Sequence, residues 1–296
     1  MEPQAIDVCL FGPFALRRDG QPVPLNISGK TLDVLRYLII HAHRPLRRDH
    51  LADIFWCDSS DDRRRSALNS AIWRIRGVLK PLGGFAIWSR GGAVGLDLAP
   101  QVSVDVIELS HAFDAALAAD RCVGTESLPE RRLANALDLC EAPFLDGAPE
   151  EWAIVEREKF FELRMRGLGL LMRRAGQARR YEDAVEYGAR LLAEDPFREG
   201  VHCELMWLYV LSGRRARALA QYETCARLLA EELDIEPMAE LRALYDHIRA
   251  DCAAPAPRRA AILSGGAAAP EDLDRVLGAI ERSRVELYEA LCDKLP

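Results

Sequence analysis

Residues 63–80 of this 296-residue chain combine arginines, small polar side chains and regularly spaced apolar residues. On a helix, with about 100° between successive residues, four apolar residues fall on one stripe that a fold would bury. They are Leu68, Ile72, Ile75 and Leu79. Asparagine and serine on the opposite side can hydrogen-bond base edges, and arginine can reach guanine or phosphate. The candidate DNA-binding residues of this helix are therefore Arg63, Arg64, Arg65, Ser66, Asn69, Ser70, Trp73, Arg74, Arg76 and Lys80.

Two features of this segment have alternative interpretations. The consecutive arginines 63–65 stand at the predicted start of the helix, where the helix dipole disfavours cations and calls for an anion. Asp61 and Asp62 could supply it within the chain, and a DNA phosphate is the alternative; a basic run is also often only a solvated face. Trp73 on the exposed side could lie on sugar-phosphate or a thymine methyl group, or could cover a neighbouring helix.

The elements around this helix predict a winged helix in residues 1–100. Strand patterns at 7–11 and 14–17 come first, followed by a helix from an N-cap at Ser28 to His43 and a short helix at 48–55. The 63–80 helix continues to about residue 82, and two β stretches, 85–88 and 94–98, flank a turn at 89–92. Arg90 in that turn is a further candidate, as a wing contact into an adjacent minor groove.

Residues 101–252 read as almost entirely helical. A helix can begin at Asp105, and the sequence around residues 190–194 returns near 227–231 while Ala184 returns at Ala218, offsets of 37 and 34. These offsets lie near the roughly 34-residue period of tetratricopeptide repeats. The further helices are predicted at 129–140, 150–176, 181–194, 199–212, 214–232 and 238–250.

The last part of the chain is predicted to differ in character. Residues 253–269 have the composition of a linker. Residues 270–296 hold one more helix with a short heptad pattern of apolar residues, and Arg284 occupies one position of this apolar seam. This helix could pack back on its own chain or mediate self-association, and the pattern leaves both open. Its apolar seam is formed by Leu273, Leu277, Ile280, Leu287 and Leu291.

Charge and motif content favour a binding protein over an enzyme. Residues 1–100 carry 14 basic and 10 acidic residues, a net charge of +4, whereas the remainder has a net charge of -11 within the total of -7. Such asymmetry suggests nucleic acid at one end. No GxSxG, HExxH, paired CxxC or phosphate-binding loop is present, and His41 and His43 would face different sides of a helix. We therefore expect no enzyme activity, no cofactor and no metal site.

Cysteine usage and hydropathy indicate a cytoplasmic location. The eight cysteines are scattered, as suits a reducing compartment. The first 20 residues lack the pattern of an export signal, and the apolar runs are too short to span a membrane. The expectation is a cytoplasmic protein without a membrane partner.

The sequence resembles the SARP family, the Streptomyces antibiotic regulatory protein type of activator, over about residues 5–250. The resemblance depends on LFGPF at 10–14, LADIFW at 51–56, the segment 68–79, VDV at 104–106, PFLDG at 143–147, EW at 151–152, DPFRE at 195–199, GR at 213–214, Ala218, Tyr222 and ELDIEP at 232–237. It implies an OmpR-like winged helix followed by a bacterial transcriptional activation domain.

The resemblance also implies a bacterial transcriptional activator whose protomers bind direct repeats upstream of a promoter and recruit RNA polymerase through its sigma subunit. The recognition helix would be 63–82, and Asn69 stands where the family often has a basic residue. No GxxxxGK[ST] motif is present, so nothing supports the ATPase module of larger relatives. The sequence thus predicts a mainly α protein with a small α+β N-terminal domain, a winged helix-turn-helix followed by tetratricopeptide-like helical repeats. A homodimer remains an open expectation. The alternative function is a helical-repeat protein–protein adaptor whose winged helix no longer binds DNA.

Overall fold

The computed structural model describes residues 5–119, 128–148 and 150–253. The predicted helix at 270–296 lies outside the described residues, and so does the linker at 253–269 apart from Ala253, which ends the last described helix.

Seven short strands form two sheets in the N-terminal region. The strands are β1 (Ile6–Cys9), β2 (Ala15–Arg18), β3 (Gln21–Val23), β4 (Leu46–Arg47), β5 (Phe85–Arg90), β6 (Ala93–Leu98) and β7 (Val102–Val104). The first sheet has the order β3-β2-β1-β7, and β1 pairs antiparallel with β2 but parallel with β7. The second sheet has the order β4-β6-β5, and we call its β5–β6 hairpin the wing.

Ten helices lie within the described residues. They are α1 (Lys30–Ile40), α2 (Arg48–Trp56), α3 (Asp61–Leu79), α4 (Asp105–Ala119), α5 (Leu128–Leu139), α6 (Glu150–Gln177), α7 (Tyr181–Glu194), α8 (Glu199–Leu211), α9 (Arg215–Leu233) and α10 (Ala239–Ala253). The chain is thus mainly helical with a small α+β region at its N-terminal end, as the sequence predicts. Whether the helix pairs form tetratricopeptide repeats stays a prediction.

The observed elements differ from the predicted ones where pairing partners are distant or the local signal is weak. The strand predicted at 7–11 ends at Cys9, and α1 begins after Gly29 rather than at a Ser28 cap. Strands β3, β4 and β7 are not predicted from the sequence, because segments of two or three residues are too short to show a period of two. β7 is a strand because it pairs with β1, about a hundred residues earlier in the chain.

One hydrophobic core runs without interruption from the N-terminal sheet through α1, α3 and α4 into α5–α8. A second, smaller cluster lies between α8, α9 and α10 and includes Met206, Cys225 and Leu241. The N-terminal region is therefore packed on the helical region through apolar side chains rather than joined to it by a bare linker.

The contact between these two regions, which we call the junction, joins residues 10–13 and α1 to residues 143–148 and to the first part of α6. Phe11 forms a β-bridge with Phe144, and their ring centroids are 5.0 Å apart. Backbone hydrogen bonds flank this bridge, since Gly12 donates to the carbonyl of Pro143 and Leu145 donates to that of Leu10, at 2.8 and 2.9 Å. The junction therefore combines strand-like pairing with aromatic packing.

Two polar side chains complete the junction. The Asp105 carboxylate accepts backbone hydrogen bonds from Leu10 and Phe11, at 2.6 and 2.9 Å, at the point where β1 ends and α4 begins. The guanidinium of Arg157 on α6 donates to the carbonyls of Phe144, Leu145 and Ala148. Both satisfy polar backbone groups that the loop would otherwise bury without a partner.

Candidate nucleic-acid interface

Helix α3 buries the stripe that the sequence predicts. Leu68, Ile72, Ile75 and Leu79 are each at most 2% exposed, and Ala71 joins them. α3 packs on α1 and α2 with this stripe, which fixes the direction of its other face.

The opposite face of α3 is exposed, basic and polar. Nine of the ten candidate residues on α3 and at its C-terminal cap are exposed; the exception is Arg64, which is half-buried. Trp73 is 74% exposed and covers no neighbouring helix, which removes one of the two interpretations of this residue. An indole at that position is free to contact a bound partner.

The arginine cluster at the start of α3 is partly neutralised within the chain. Arg64 donates to Asp53 at 2.7 Å and also to Asp61, and the hydrogen bond from Arg64 lowers the pKa of the Asp61 carboxyl. Arg65 lies 3.5 Å from a carboxylate oxygen of Asp49. Arg63 forms no ion pair within the described residues. Acidic side chains of the chain itself therefore bind Arg64, whereas Arg63 is exposed.

A hydrogen-bond network joins α3 to the wing through Arg48, the first residue of α2. The Arg48 guanidinium donates to the side-chain oxygen of Asn69 on α3 and, at 3.3 Å, to the hydroxyl of Ser89 on β5. Arg76 on α3 donates to the same hydroxyl at 3.1 Å and to the carbonyl of Ile87 at 3.4 Å. The wing is therefore held against α3 by Arg76 on the polar face and by Arg48 of α2.

The wing turns at two glycines that adopt positive φ. Gly91 and Gly92 have φ of 56° and 78°, values that L side chains adopt rarely, and Arg90 is exposed beside them. Further along β6, Gly95 lies under the ring of Trp88, where an added Cβ would fall 2.2 Å from a ring atom. Glycine at position 95 is needed for this packing, and it sets the shape of the hairpin that carries Arg90.

Of the eleven candidate residues from the sequence, ten lie on α3 and at its C-terminal cap, and Arg90 lies on the wing. The candidates did not include Arg48, which links α3 to the wing, or Ser89 on the wing itself. Arg48 could have been identified from the sequence, because it is the first residue of the short helix that precedes α3. For Ser89 the sequence offers no signal beyond the predicted turn.

The histidines considered for metal binding lie in separate surroundings. His41 stacks on Tyr37 with 4.2 Å between ring centroids, and its Nε2 lies 3.5 Å from Glu156 on α6. Burial lowers the pKa of His41 below its ordinary value, although Glu156 acts in the opposite direction. His43 is paired with Asp97 at 3.6 Å. Across residues 5–119, 128–148 and 150–253, no group of three or more potential ligands could hold a metal ion.

None of the helices in the described parts of the chain is both long enough and apolar enough to cross a bilayer.

The helical region matches a known protein family. Residues 105–249 match the family described as "Bacterial transcriptional activator domain". This range begins at the first residue of α4 and ends within α10. The match therefore covers the helices that follow the N-terminal sheets.

Two relatives are named as regulatory proteins. The chain is 29% identical over 249 residues to the regulatory protein AfsR of Streptomyces coelicolor, covering 83% of this chain and 24% of AfsR. It is also 29% identical over 259 residues to the transcriptional regulatory protein EmbR of Mycobacterium tuberculosis, covering 82% of this chain and 63% of EmbR. The chain thus spans about a quarter of AfsR and less than two thirds of EmbR.

A solved structure has the same fold. EmbR of Mycobacterium tuberculosis, solved in complex with a low-affinity phosphopeptide, superposes with a TM-score of 0.66 at 25% identity, over 84% of this chain and 66% of that chain. EmbR is named as a transcriptional regulatory protein, and AfsR as a regulatory protein.

Proposed function

The chain carries a bacterial transcriptional activator domain and resembles SARP-type transcriptional regulators over most of its length, and on that premise we propose that it is a sequence-specific DNA-binding activator. In this proposal α3 lies in the major groove and Arg90 on the wing reaches the neighbouring minor groove. The protein would act in the cytoplasm of a bacterium.

The observation that carries the proposal is the division of α3 into two faces. One stripe is fully buried, and the other face presents arginine, serine and asparagine side chains with the wing held beside it. Arg63 and Arg74 form no ion pair within the described residues, so their charges are available to phosphate or guanine. Ser66 and Gly77 are small and exposed, which allows close approach to base edges.

Position-specific roles follow from the contacts. Trp73 would lie on sugar-phosphate or a thymine methyl group, since 74% of it is exposed. Asn69 would read a base while Arg48 fixes the orientation of its side chain. Arg64 would contribute less than its neighbours, because Asp53 and Asp61 already bind its guanidinium.

The proposal extends to the promoter complex. Protomers would bind direct repeats, as the resemblance to SARP-type activators implies, and recruit RNA polymerase through its sigma subunit. The continuous core across the junction supports this, because a rigid connection would fix the helical region relative to DNA.

Selection of genomic DNA tests the first part. Sheared genomic DNA of the host is bound to the immobilised full-length chain, and the retained fragments are sequenced. We expect enrichment of fragments upstream of genes that share a repeated motif. Affinity for an enriched fragment should fall steeply with added salt, because arginine–phosphate contacts release counterions. Run-off transcription from that fragment with host RNA polymerase then tests activation.

The second candidate is a protein–protein adaptor, which the exposure of Trp73 favours. Tryptophan is enriched at the centres of protein interfaces, and a 74% exposed indole is available to one. The same selection separates the two functions. An adaptor would retain no preferred DNA fragments, and its weak DNA binding would be equally strong for every sequence.

A further inference from the structure

A groove lies between α4, α6, α7 and α8 and encloses a cavity of about 280 Å³. Its apolar lining includes Phe113, Leu191 and Val201, and also Leu117, whose side chain is 40% exposed. Small-molecule sites usually enclose roughly 300–1,000 Å³. A cavity just below that range suits one or two apolar side chains of a docked segment better than a cofactor.

Two arginines without acidic partners border the groove on α6. Arg166 and Arg173 are exposed, and neither forms an ion pair within the described residues. Arg166 instead lies over the ring of Phe113, with its guanidinium carbon 5.0 Å from the ring centroid. A separation of seven residues is two helical turns, so the two side chains leave the same face of α6 roughly 10 Å apart.

The helix surface between these arginines is open to close approach. Gly169 lies there, and a Cβ added to it would meet only Arg173 Nη1, at 3.6 Å. Because only the end of the flexible Arg173 side chain lies near the backbone at this position, another helix can pack closely on α6. This stretch of α6 thus has a positive charge at each end, and the groove lining also includes Glu204 on α8 and Arg198 just before α8.

The sequence after residue 270 has the complementary pattern. Residues 271–296 hold seven acidic and four basic residues. Leu277 and Ile280 belong to the apolar seam, and Asp274 and Glu281 each directly follow a seam residue. These two acids are seven residues apart, the spacing of Arg166 and Arg173. Charged residues that flank an apolar seam commonly form ion pairs between packed helices.

We propose that residues 273–281 of this chain dock in the groove between α4, α6, α7 and α8. Leu277 and Ile280 enter the cavity, and Asp274 and Glu281 pair with the two arginines of α6. The matched seven-residue spacing of acids and arginines carries the assignment. Of the two roles that the heptad pattern leaves open, this proposal favours packing of the helix on its own chain over self-association.

The chain is long enough for this contact to be intramolecular. Leu273 follows Ala253, the end of α10, by 20 residues, which can span up to about 66 Å. α10 packs on α8, and α8 also contributes Val201 to the groove. Packed helices lie about 8–10 Å apart, so the tether exceeds the distance required. A protein partner that binds the same groove must displace the docked segment.

Hydrogen–deuterium exchange of the full-length chain tests the proposal. Peptides from 271–293 should exchange slowly in the native chain and about tenfold faster in Arg166→Glu/Arg173→Glu, because two attractive pairs become repulsive. The matched control is Arg131→Glu/Arg132→Glu on the exposed side of α5, which should leave exchange unchanged. Adding Asp274→Arg/Glu281→Arg to the groove variant should restore slow exchange.

A second variant shows whether loss of protection could result from misfolding of the groove. Asp274→Arg/Glu281→Arg alone leaves the described residues untouched and should also lose protection of 271–293. The proposal is overturned if these peptides exchange rapidly in the native chain, or if reversal of the α6 arginines leaves them protected. It is equally overturned if protection disappears on dilution together with a dimer measured by sedimentation, since a second copy would then supply the segment.

Discussion

The guanidinium of Arg48 donates a hydrogen bond to the side-chain oxygen of Asn69 and thereby joins the first residue of α2 to the exposed face of α3. The same guanidinium reaches Ser89 on the wing, which Arg76 of α3 also contacts. The proposed base-reading residue and the wing therefore share one arginine. Loss of that arginine should affect both.

Replacement of Arg48 by alanine should loosen the wing. We expect amides of β5 and β6 to exchange several-fold faster in Arg48→Ala, because the hydroxyl of Ser89 keeps only its bond from Arg76. Hydrogen–deuterium exchange of peptides from 85–98 measures the effect. Arg47→Ala, at the exposed neighbouring position, is the matched control, and equal acceleration in both variants would contradict the role assigned to Arg48.

Arg74 and Arg64 should differ in their contribution to DNA binding. Arg74→Ala should weaken binding to a selected fragment about tenfold and reduce the salt slope by about 0.9 if Arg74 contacts one phosphate. Arg64→Ala should change both less, because Asp53 and Asp61 already bind Arg64. Fluorescence anisotropy titrations at several salt concentrations compare the two. Equal losses would show that the internal ion pairs of Arg64 do not persist on DNA.

Arg65 provides an intermediate case. Its nitrogen lies 3.5 Å from a carboxylate oxygen of Asp49, and both side chains are more than 60% exposed. A pair so exposed contributes little to stability and is easily broken in favour of a phosphate. Arg65→Ala should therefore weaken DNA binding nearly as much as Arg74→Ala, while the midpoint of thermal unfolding stays unchanged. Binding as tight as that of the native chain would assign Arg65 to the solvated surface.

Truncation of Phe144 should destabilise the N-terminal and helical regions together. Its ring centroid lies 5.0 Å from that of Phe11 and 4.6 Å from that of Phe160, and the residue is 7% exposed. Phe144→Ala should lower the free energy of unfolding by about 3–5 kcal/mol. Urea denaturation followed by circular dichroism measures it, with Leu128→Ala, at a 69% exposed position, as the control. Two separate transitions in the native chain would contradict a shared core.

Stability should depend on pH through His41. Because burial lowers the pKa of His41 in the folded chain, the unfolded chain binds the proton more tightly. The free energy of unfolding contributed by neutral His41 is fully present above pH 6.5 and is lost as the pH falls toward the lowered value. Urea denaturation at a series of pH values measures this.

The variant His41→Asn should flatten that dependence. An asparagine amide can still donate to the carbonyl of Tyr37, as Nδ1 of His41 does at 3.1 Å in the protonated-Nδ1 tautomer, but it does not titrate. His247→Asn, on the exposed side of α10, controls for removal of a histidine elsewhere. A native chain whose stability is constant across the window just below pH 6.5 would show that Glu156 compensates the burial of His41.

The sequence predicts local elements well because their signals are local. The stripe Leu68 to Leu79 has a helical period, and its burial is confirmed; α7 has the bounds that the periodicity predicts. The Arg48–Ser89 contact joins residues 41 positions apart, and no local pattern encodes it. Phe11 and Phe144, which form a β-bridge, are even further apart in the sequence, and both lie in segments predicted as loops or strand ends. The candidate face of α3 was therefore predictable, and its connection to the wing and to the helical region was not.

The parallel pairing of β7 with β1 limits how the protein can be divided. A chimera that takes residues 1–100 from this chain and the remainder from a relative would receive β7 and Asp105 from the other parent. The β7 strand of the relative would have to pair with the edge of β1, and the loop of the relative that corresponds to residues 143–147 would have to form the bridge to Phe11. Exchange of the N-terminal region between this chain and a relative would therefore succeed only when β7 and residues 143–147 are exchanged with it. The two regions would then be inherited as one unit in which a change on either side of the junction selects for a compensating change on the other.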